Sequence, residues 1–284
     1  MFLHPTMWFR PQPSATAPAE RPPNLAAMNG RRAAVGILAV LTLLLLGSSG
    51  AVLVTGAADK DERATRVTAT RTETTAAPPV ATPDPGPSVV AAAVVPRVGI
   101  YASPGTPTSK QSIANPNENG APLVFLVQED KGDWLRVLLP VRPNGSTGWI
   151  RAADVRLGRH GYRIVVELAS HRITVTDGAS VFLTEAIGVG TSSTPTPGGL
   201  YYVKELLRPP TSNGPYGPYA YGLSGFSNQL TSFAGGEGVI GIHGTSDPSS
   251  IGKDVSFGCI RMSNAGISRM AARLPLGTPV EIRA

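Results

Sequence analysis

Residues 240–264 read IGIHGTSDPSSIGKDVSFGCIRMSN and join the chain's one cysteine, Cys259, to one of its four histidines, His243. A free thiol has a pKa of about 8.5, and a neighbouring imidazole activates it by pairing with it. Gly258 lets the backbone turn sharply beside the sulfur, where N–H groups can face a developing oxyanion. Arg261 is permanently charged and can hold a carboxylate through two hydrogen bonds. Together these residues suit acyl transfer through a thioester.

Each residue also has a plain structural interpretation. A lone cysteine beside Ile260 and Met262 is more often a small buried apolar side chain, and a lone histidine near a turn is usually structural. The joint pattern of Cys259 and His243 favours catalysis over both. We assign no role to His160 or His171, whose sequence contexts are a linker and a turn.

The same stretch carries a family resemblance. The run His243-Gly244-Thr245, followed by Ser256-Phe257-Gly258-Cys259-Ile260-Arg261-Met262, resembles the catalytic signature of the YkuD-type L,D-transpeptidases. The upstream residues 194–199, TPTPGG, also resemble a stretch typical of that family, and the likeness extends from Tyr162 to the C-terminus.

The resemblance implies a β-sandwich catalytic domain that needs no metal or other cofactor. Its donor is a tetrapeptide stem of peptidoglycan: Cys259 attacks the carbonyl of the third residue, D-alanine leaves, and an amine of a second stem resolves the thioester into a 3→3 cross-link. His243 serves as the base. Acylation by carbapenems is a common property of the family. The positions that shape the site or bind substrate are Gly244, Ser256, Phe257, Gly258 and Arg261.

Two positions bear on how the site works. Position 257 is often histidine or a basic residue in relatives, so Phe257 predicts a changed donor preference if that side chain touches the donor. Gly244 has no side chain with which to orient the imidazole of His243, so a backbone carbonyl has to do so.

The N-terminal part predicts export. Residues 35–54 contain no charge, and 20 residues at about 1.5 Å each span the roughly 30 Å of a bilayer's hydrocarbon core. Arg31 and Arg32 just before them favour a cytoplasmic N-terminus. We expect a leader at 1–32 (with 1–27 a start-site artefact), a membrane anchor at 33–54 and a disordered linker at 55–95. The alternative to the anchor is a cleaved signal, which would release the protein to the cell wall.

Two ordered domains are expected after the linker. Residues 96–158 predict a small all-β unit, and residues 132–137 with 148–150 resemble a bacterial SH3-like domain, of a kind that often binds wall peptides. Residues 160–284 predict a mostly β catalytic domain with one or two short helices, one of them capped by Ser263 or Asn264. The Pro-, Gly- and Tyr-rich residues 205–236 predict a long loop that acts as a lid or a binding wall.

The charge distribution argues against a nucleic-acid partner. Half of the formal net charge of +6 lies in residues 1–57, and no later segment carries a stripe of Lys and Arg. The expected partners are therefore peptidoglycan stem peptides and, through one N-terminal helix, the membrane. The sequence does not indicate an oligomeric state.

Three other functions remain open. The same site could use water as acceptor, as an L,D-carboxypeptidase does, or attach another amine-bearing partner to the wall. A catalytically dead wall-binding adaptor is a further alternative. A sortase also orders His, Cys and Arg along its chain, but its histidine normally lies much further from the cysteine than His243 does from Cys259.

Overall fold

The computed structural model describes residues 86–232 and 236–284. The predicted leader, the anchor and residues 55–85 of the predicted linker lie outside these residues. Within the part described, no helix has the length and apolarity needed to cross a bilayer.

Residues 88–160 form a small all-β unit. A five-stranded sheet runs in the order β6-β5-β4-β1-β7, and β2 pairs with β3 in a separate hairpin. Apolar side chains from six of these strands meet in one buried cluster that includes Phe125, Leu135 and Ile150. The strands are β1 Ser88–Ala93, β2 Arg97–Ile100, β3 Gln111–Ala114, β4 Val124–Asp130, β5 Trp134–Leu138, β6 Thr147–Arg151 and β7 Val155–His160.

The boundary that was predicted at residue 95 is wrong. Strand β1, with the sequence SVVAAA, lies between β4 and β7 in the five-stranded sheet and buries Val90 and Ala91. The adjacent β-branched pair favours a strand, and the alanines pack in the crowded centre of the sheet. The Pro- and Thr-rich composition of the preceding segment hid this short strand.

Residues 162–283 form the second β unit, whose main sheet has eight strands in the order β10-β9-β8-β17-β12-β13-β14-β16. These strands contribute to one buried core, so the sheet curls around it. The strands are β8 Tyr162–Glu167, β9 Arg172–Asp177, β10 Ser180–Ala186, β11 Val189–Gly190, β12 Gly199–Leu207, β13 Ala220–Phe226, β14 Val239–His243, β15 Asp254–Ser256, β16 Ile260–Arg261 and β17 Pro279–Arg283.

The prediction of one long loop over 205–236 is also wrong. Its middle is β13, AYGLSGF, which is buried along nearly its whole length and pairs with β12 and β14. The glycines that suggested a loop are required by close packing. A Cβ at Gly222 would meet the side chain of Glu205, and one at Gly225 would meet the ring of Tyr201. Only the segments on either side of β13 remain loops.

One α-helix, Asn264–Ala271, occurs among the described residues, together with 3₁₀ turns at Ala152–Asp154 and Pro248–Ser250. Its N-cap is Ser263, whose hydroxyl accepts a hydrogen bond from the amide of Gly266 at 2.9 Å. The helix buries Ile267 and Met270 against the core. It packs against β14, the strand that ends at His243.

Candidate active site

A two-rung parallel ladder brings the cysteine and the histidine together. Ile242 of β14 pairs with Ile260 of β16, and the next rung joins His243 to Arg261. The amide of Met262 extends the ladder by donating to the carbonyl of His243 at 2.9 Å. Both isoleucines are fully buried, which fixes the register of the two strands. The chain between the two strands folds back, so Cys259, which directly precedes β16, lies beside the end of β14.

Cys259 and His243 line the same cavity of about 250 Å³. Every position that the sequence nominated contributes to this cavity or to its framework. Three of them, Ser256, Phe257 and Arg261, line the cavity with the pair, whereas Gly244 and Gly258 shape the backbone around it. The loops beside β13 supply further walls. The lining residues are Pro215, Tyr216, Ser227, Leu230, Gly238, Val239, Ile240, His243, Ser256, Phe257, Cys259 and Arg261.

The imidazole of His243 is held by the backbone. Its Nδ1 lies 2.6 Å from the carbonyl oxygen of Gly244, which confirms the prediction that a carbonyl orients the ring. The edge of one ring meets the face of the other between His243 and Tyr216, with 5.0 Å between centroids. Burial lowers the pKa of His243 to about 4; the hydrogen bond to Gly244 raises it and the charge of Arg261 lowers it further. The ring is therefore neutral at pH 7.

The thiol of Cys259 is also neutral at rest. Burial raises its pKa, and a hydrogen bond with the backbone of Gly241 and the charge of Arg261 only partly oppose this. Within the described residues, no hydrogen bond joins its sulfur to the imidazole of His243. The expected pairing of thiol and imidazole is thus not present in the resting site. Deprotonation has to accompany attack on a substrate.

The turn before the cysteine is tied from inside. The hydroxyl of Ser256 donates to the carbonyl of Cys259 at 2.5 Å and accepts from the amide of Gly258 at 3.1 Å. Gly258 has φ of +110°, which side chains with a Cβ rarely adopt. The carbonyl of Ser256 accepts from the hydroxyl of Thr194 at 3.0 Å and from the amide of Thr191 at 3.1 Å. Thr191 and Thr194, the latter being the first residue of the TPTPGG segment, thereby hold the turn before Cys259 from outside.

Gly244 is required by packing. A Cβ there would meet Oδ1 of Asn264 and come within 3.1 Å of Gly217 and Pro218. The same Oδ1 accepts a hydrogen bond from the amide of Thr245 at 2.8 Å. Asn264 therefore fixes the chain just after His243. The sequence predicted only a candidate helix N-cap at Asn264 and no contact with the chain near His243.

Arg261 and Phe257 differ in how they meet the cavity. The backbone of Arg261 exchanges two hydrogen bonds of 2.8 Å with Gly188, which anchors the residue. Among the described residues, its buried Nε has no hydrogen-bond partner. Phe257 is 59% exposed although it is large and apolar, so its ring forms part of the cavity rim. A charged donor and an apolar surface therefore lie on the same opening.

Seven of the lining residues, among them Tyr216, Ser227 and Leu230, were not named from the sequence. Tyr216 lies in the loop before β13, and Ser227 and Leu230 follow that strand. The sequence signal was only the prediction of a functional loop region. No group of three or more His, Cys, Asp and Glu side chains is arranged to hold a metal ion in residues 86–232 and 236–284.

The sequence comparisons agree with this geometry. Residues 161–282 match the family model of the YkuD L,D-transpeptidase catalytic domain. Two proteins that carry the name L,D-transpeptidase YkuD, from Bacillus subtilis and Bacillus licheniformis, are each 38% identical over 121 residues. Each alignment covers 43% of this chain and 65% of the relative. Residues 161–282 are thus similar in sequence to an L,D-transpeptidase catalytic domain.

Similar solved structures are more distant. An L,D-transpeptidase of Enterococcus faecium is 24% identical, with a TM-score of 0.34 over 43% of this chain and 50% of that one. One from Mycobacterium smegmatis is 15% identical, with a TM-score of 0.38 over 58% of this chain and 92% of that one. The likeness to the L,D-transpeptidase catalytic domain therefore rests on the sequence match.

Proposed function

We propose that the domain at 160–284 forms 3→3 cross-links in peptidoglycan, with a tetrapeptide stem as acyl donor and Cys259 as nucleophile. The observation that carries the proposal is the shared cavity of Cys259 and a neutral His243. The family of the catalytic domain supports the reaction class.

In the first half-reaction, Sγ of Cys259 attacks the carbonyl carbon of the third stem residue while its proton passes to Nε2 of His243. The tetrahedral intermediate carries a negative oxygen. The amide of Gly258 is already bonded to Ser256, so the amide of Cys259 is the proposed oxyanion donor. Collapse breaks the amide bond, and the amine of D-alanine leaves with the proton from the imidazolium. A thioester remains.

In the second half-reaction, the side-chain amine of another stem attacks the thioester and gives up a proton to His243. Collapse releases Cys259 as thiolate, which takes that proton back. No net proton or electron is consumed. Arg261 is proposed to hold a stem carboxylate, because its guanidinium reaches the cavity and a carboxylate matches its paired donors.

The N-terminal parts fit the same role. We propose that the β unit at 88–160 is the predicted SH3-like domain, since a small all-β unit with one buried core suits that fold. Its ligand is then a wall peptide. The proposed substrate lies outside the cytoplasmic membrane, so we infer that the catalytic domain works there, tethered by residues 33–54 or released to the wall.

The test is to incubate the protein with a disaccharide-tetrapeptide and weigh the products. Dimers with loss of D-alanine support cross-linking. Tripeptide monomers alone would indicate L,D-carboxypeptidase activity instead of cross-linking. Coupling only to another added amine would indicate attachment of a partner to the cell wall. The matched control is Cys259→Ala. If the wild type gives neither product and takes up no carbapenem mass, the adaptor alternative is favoured.

A further inference from the structure

One wall of the catalytic cavity follows strand β13. Residues 227–230 and 237–239, the wall arms, supply Ser227, Leu230, Gly238 and Val239 to the cavity lining. The amide of Ser227 donates to the carbonyl of Gly238 at 2.8 Å, which closes the base of the arms. The hydroxyl of Ser227 accepts from the amides of Gln229 and Leu230. These two bonds shape the first arm, residues 227–230.

A residue of the N-terminal β unit binds both arms. Arg142 lies in the loop between β5 and β6, and its guanidinium donates to the carbonyl oxygens of Ser227 at 2.8 Å, Leu230 at 3.1 Å and Glu237 at 2.9 Å. Two of these acceptors lie on the first arm and one on the second. The planar fork of Arg142 thus sets the spacing between them. Its guanidinium carbon also lies 4.9 Å from the ring centroid of Phe226.

Asn144, from the same loop, fixes the point where the first arm starts. Its Oδ1 accepts from the amide of Phe226 at 2.9 Å, and its Nδ2 donates to the carbonyl of Phe226 at 2.8 Å. This two-way pairing imitates a strand partner at the end of β13. Phe226 itself is buried. The pairing therefore determines the direction in which the chain leaves the sheet.

The loop that carries Arg142 and Asn144 is itself held in place. Val90, Leu126 and Leu138 of the N-terminal unit share an apolar cluster with Tyr202 of β12. Buried Glu205 accepts hydrogen bonds from Asn117 at 2.8 Å and Asn119 at 2.9 Å. The described residues 86–232 and 236–284 accordingly belong to one compact unit. The N-terminal β unit is therefore docked on the catalytic unit through contacts that lie outside the wall arms.

From these contacts we infer that Arg142 and Asn144 are positioning residues of the catalytic cavity, supplied by the N-terminal β unit. The N-terminal β unit then helps to form the side of the cavity that binds the donor, in addition to any role in binding the bacterial cell wall. The inference rests on the proposed function, because it assigns the wall arms to substrate binding.

The experiment compares Arg142→Ala, Arg142→Lys and Asn144→Ala with Arg97→Ala in the full chain. Arg97 is an exposed arginine of the same unit, bonded to Ser112 on the β2–β3 hairpin. We expect kcat/KM for the tetrapeptide to fall about tenfold in Arg142→Ala, mainly through a higher KM. Arg142→Lys should fall less, because an ammonium can still donate to part of the carbonyl set. Arg97→Ala should match the wild type.

A second measurement separates an effect on the wall arms from an effect on the reactivity of Cys259. The rate at which iodoacetamide alkylates Cys259 should change less than twofold in every variant, since this small reagent does not need the wall arms. Equal kcat/KM in Arg142→Ala and Arg97→Ala overturns the inference. An equal fall in alkylation and turnover also overturns it, because the effect would then lie at the thiol. If Arg142→Ala does not fold, Arg142→Lys and Asn144→Ala carry the same comparison.

Failure of the proposed function is recognised differently. If the wild type shows no turnover, the proposed substrate is wrong, but the contacts between Arg142 and the wall arms are unaffected. Hydrogen exchange at the amides of Gln229 and Leu230 then decides the inference. Faster exchange in Arg142→Ala than in Arg97→Ala supports it, and equal exchange overturns it.

Discussion

Nδ1 of His243 lies 2.6 Å from the carbonyl oxygen of Gly244, the next residue in the chain. A carbonyl can only accept, so Nδ1 carries the hydrogen of the neutral ring and Nε2 keeps its lone pair. This tautomer is the one that a base toward Cys259 requires. The backbone thus performs the orienting role that a carboxylate performs in many catalytic triads.

The first prediction concerns the pH dependence of catalysis. Burial lowers the pKa of His243 to about 4, so the ring stays unprotonated and competent well below pH 6.5. We expect the acid limb of kcat/KM to have its midpoint near pH 4. A midpoint close to 6.5, measured under the same conditions, would mean that the ring is solvated in the free enzyme.

The same pKa predicts a pH-dependent stability. His243 has a folded-state pKa below its unfolded value, so the unfolded chain binds more protons as pH falls. The associated stability is complete above about pH 6.5 and is lost as pH falls from there through about 4. By pH 4.5 the loss should be about 2–3 kcal/mol.

Urea unfolding at pH 7 and 4.5 measures this, with His243→Gln as the comparison. Other groups titrate equally in both proteins, so the variant should lose less stability over this interval by about the same amount. Identical losses in the two proteins would show that His243 makes no contribution.

The third prediction separates backbone strain from placement of the nucleophile. Gly258 and Gly252 both have positive φ, of +110° and +80°, and alanine at either position costs roughly 1–2 kcal/mol. Only Gly258 adjoins Cys259. Gly258→Ala should therefore lower the acylation rate by about tenfold or more, whereas Gly252→Ala should only lower the melting temperature. Equal acylation rates in Gly258→Ala and Gly252→Ala would show that the conformation of the turn at Gly258 does not affect catalysis.

The fourth prediction tests the bonds inside the turn. Ser256→Ala leaves the carbonyl of Cys259 and the amide of Gly258 without their hydroxyl partner. A buried polar group without a partner costs about 1–3 kcal/mol, so we expect a loss of about 2–3 kcal/mol and slower acylation. The control is Ser249→Ala, whose hydroxyl bonds to exposed Asp247. A loss in Ser256→Ala no larger than in this control would contradict the role assigned to Ser256.

Sequence reasoning found what local spacing encodes. His243 and Cys259 lie near each other in the sequence, and the two-rung ladder of β14 and β16 places them near each other in space. The cap at Ser263 and the mostly β character of both units follow from short-range patterns as well. Strand β1 was missed because its alanines carry little strand signal, and β13 because its glycines imitate a loop.

The remaining site residues could not be predicted, since they come from distant parts of the chain. Tyr216 reaches His243 only after β13 has paired with β14. Arg142 contacts Ser227 across 85 residues of sequence, through the packing of two β units. The neutral resting state of Cys259 likewise depends on burial, which no motif reports.

The most direct test of the account is intact-protein mass spectrometry with the tetrapeptide donor, combined with peptide mapping. We predict an adduct on Cys259 equal to the donor minus D-alanine, no adduct in Cys259→Ala, and no turnover by that variant. An adduct on another residue, or cross-linking that persists in Cys259→Ala, would contradict the claim that this thiol is the nucleophile.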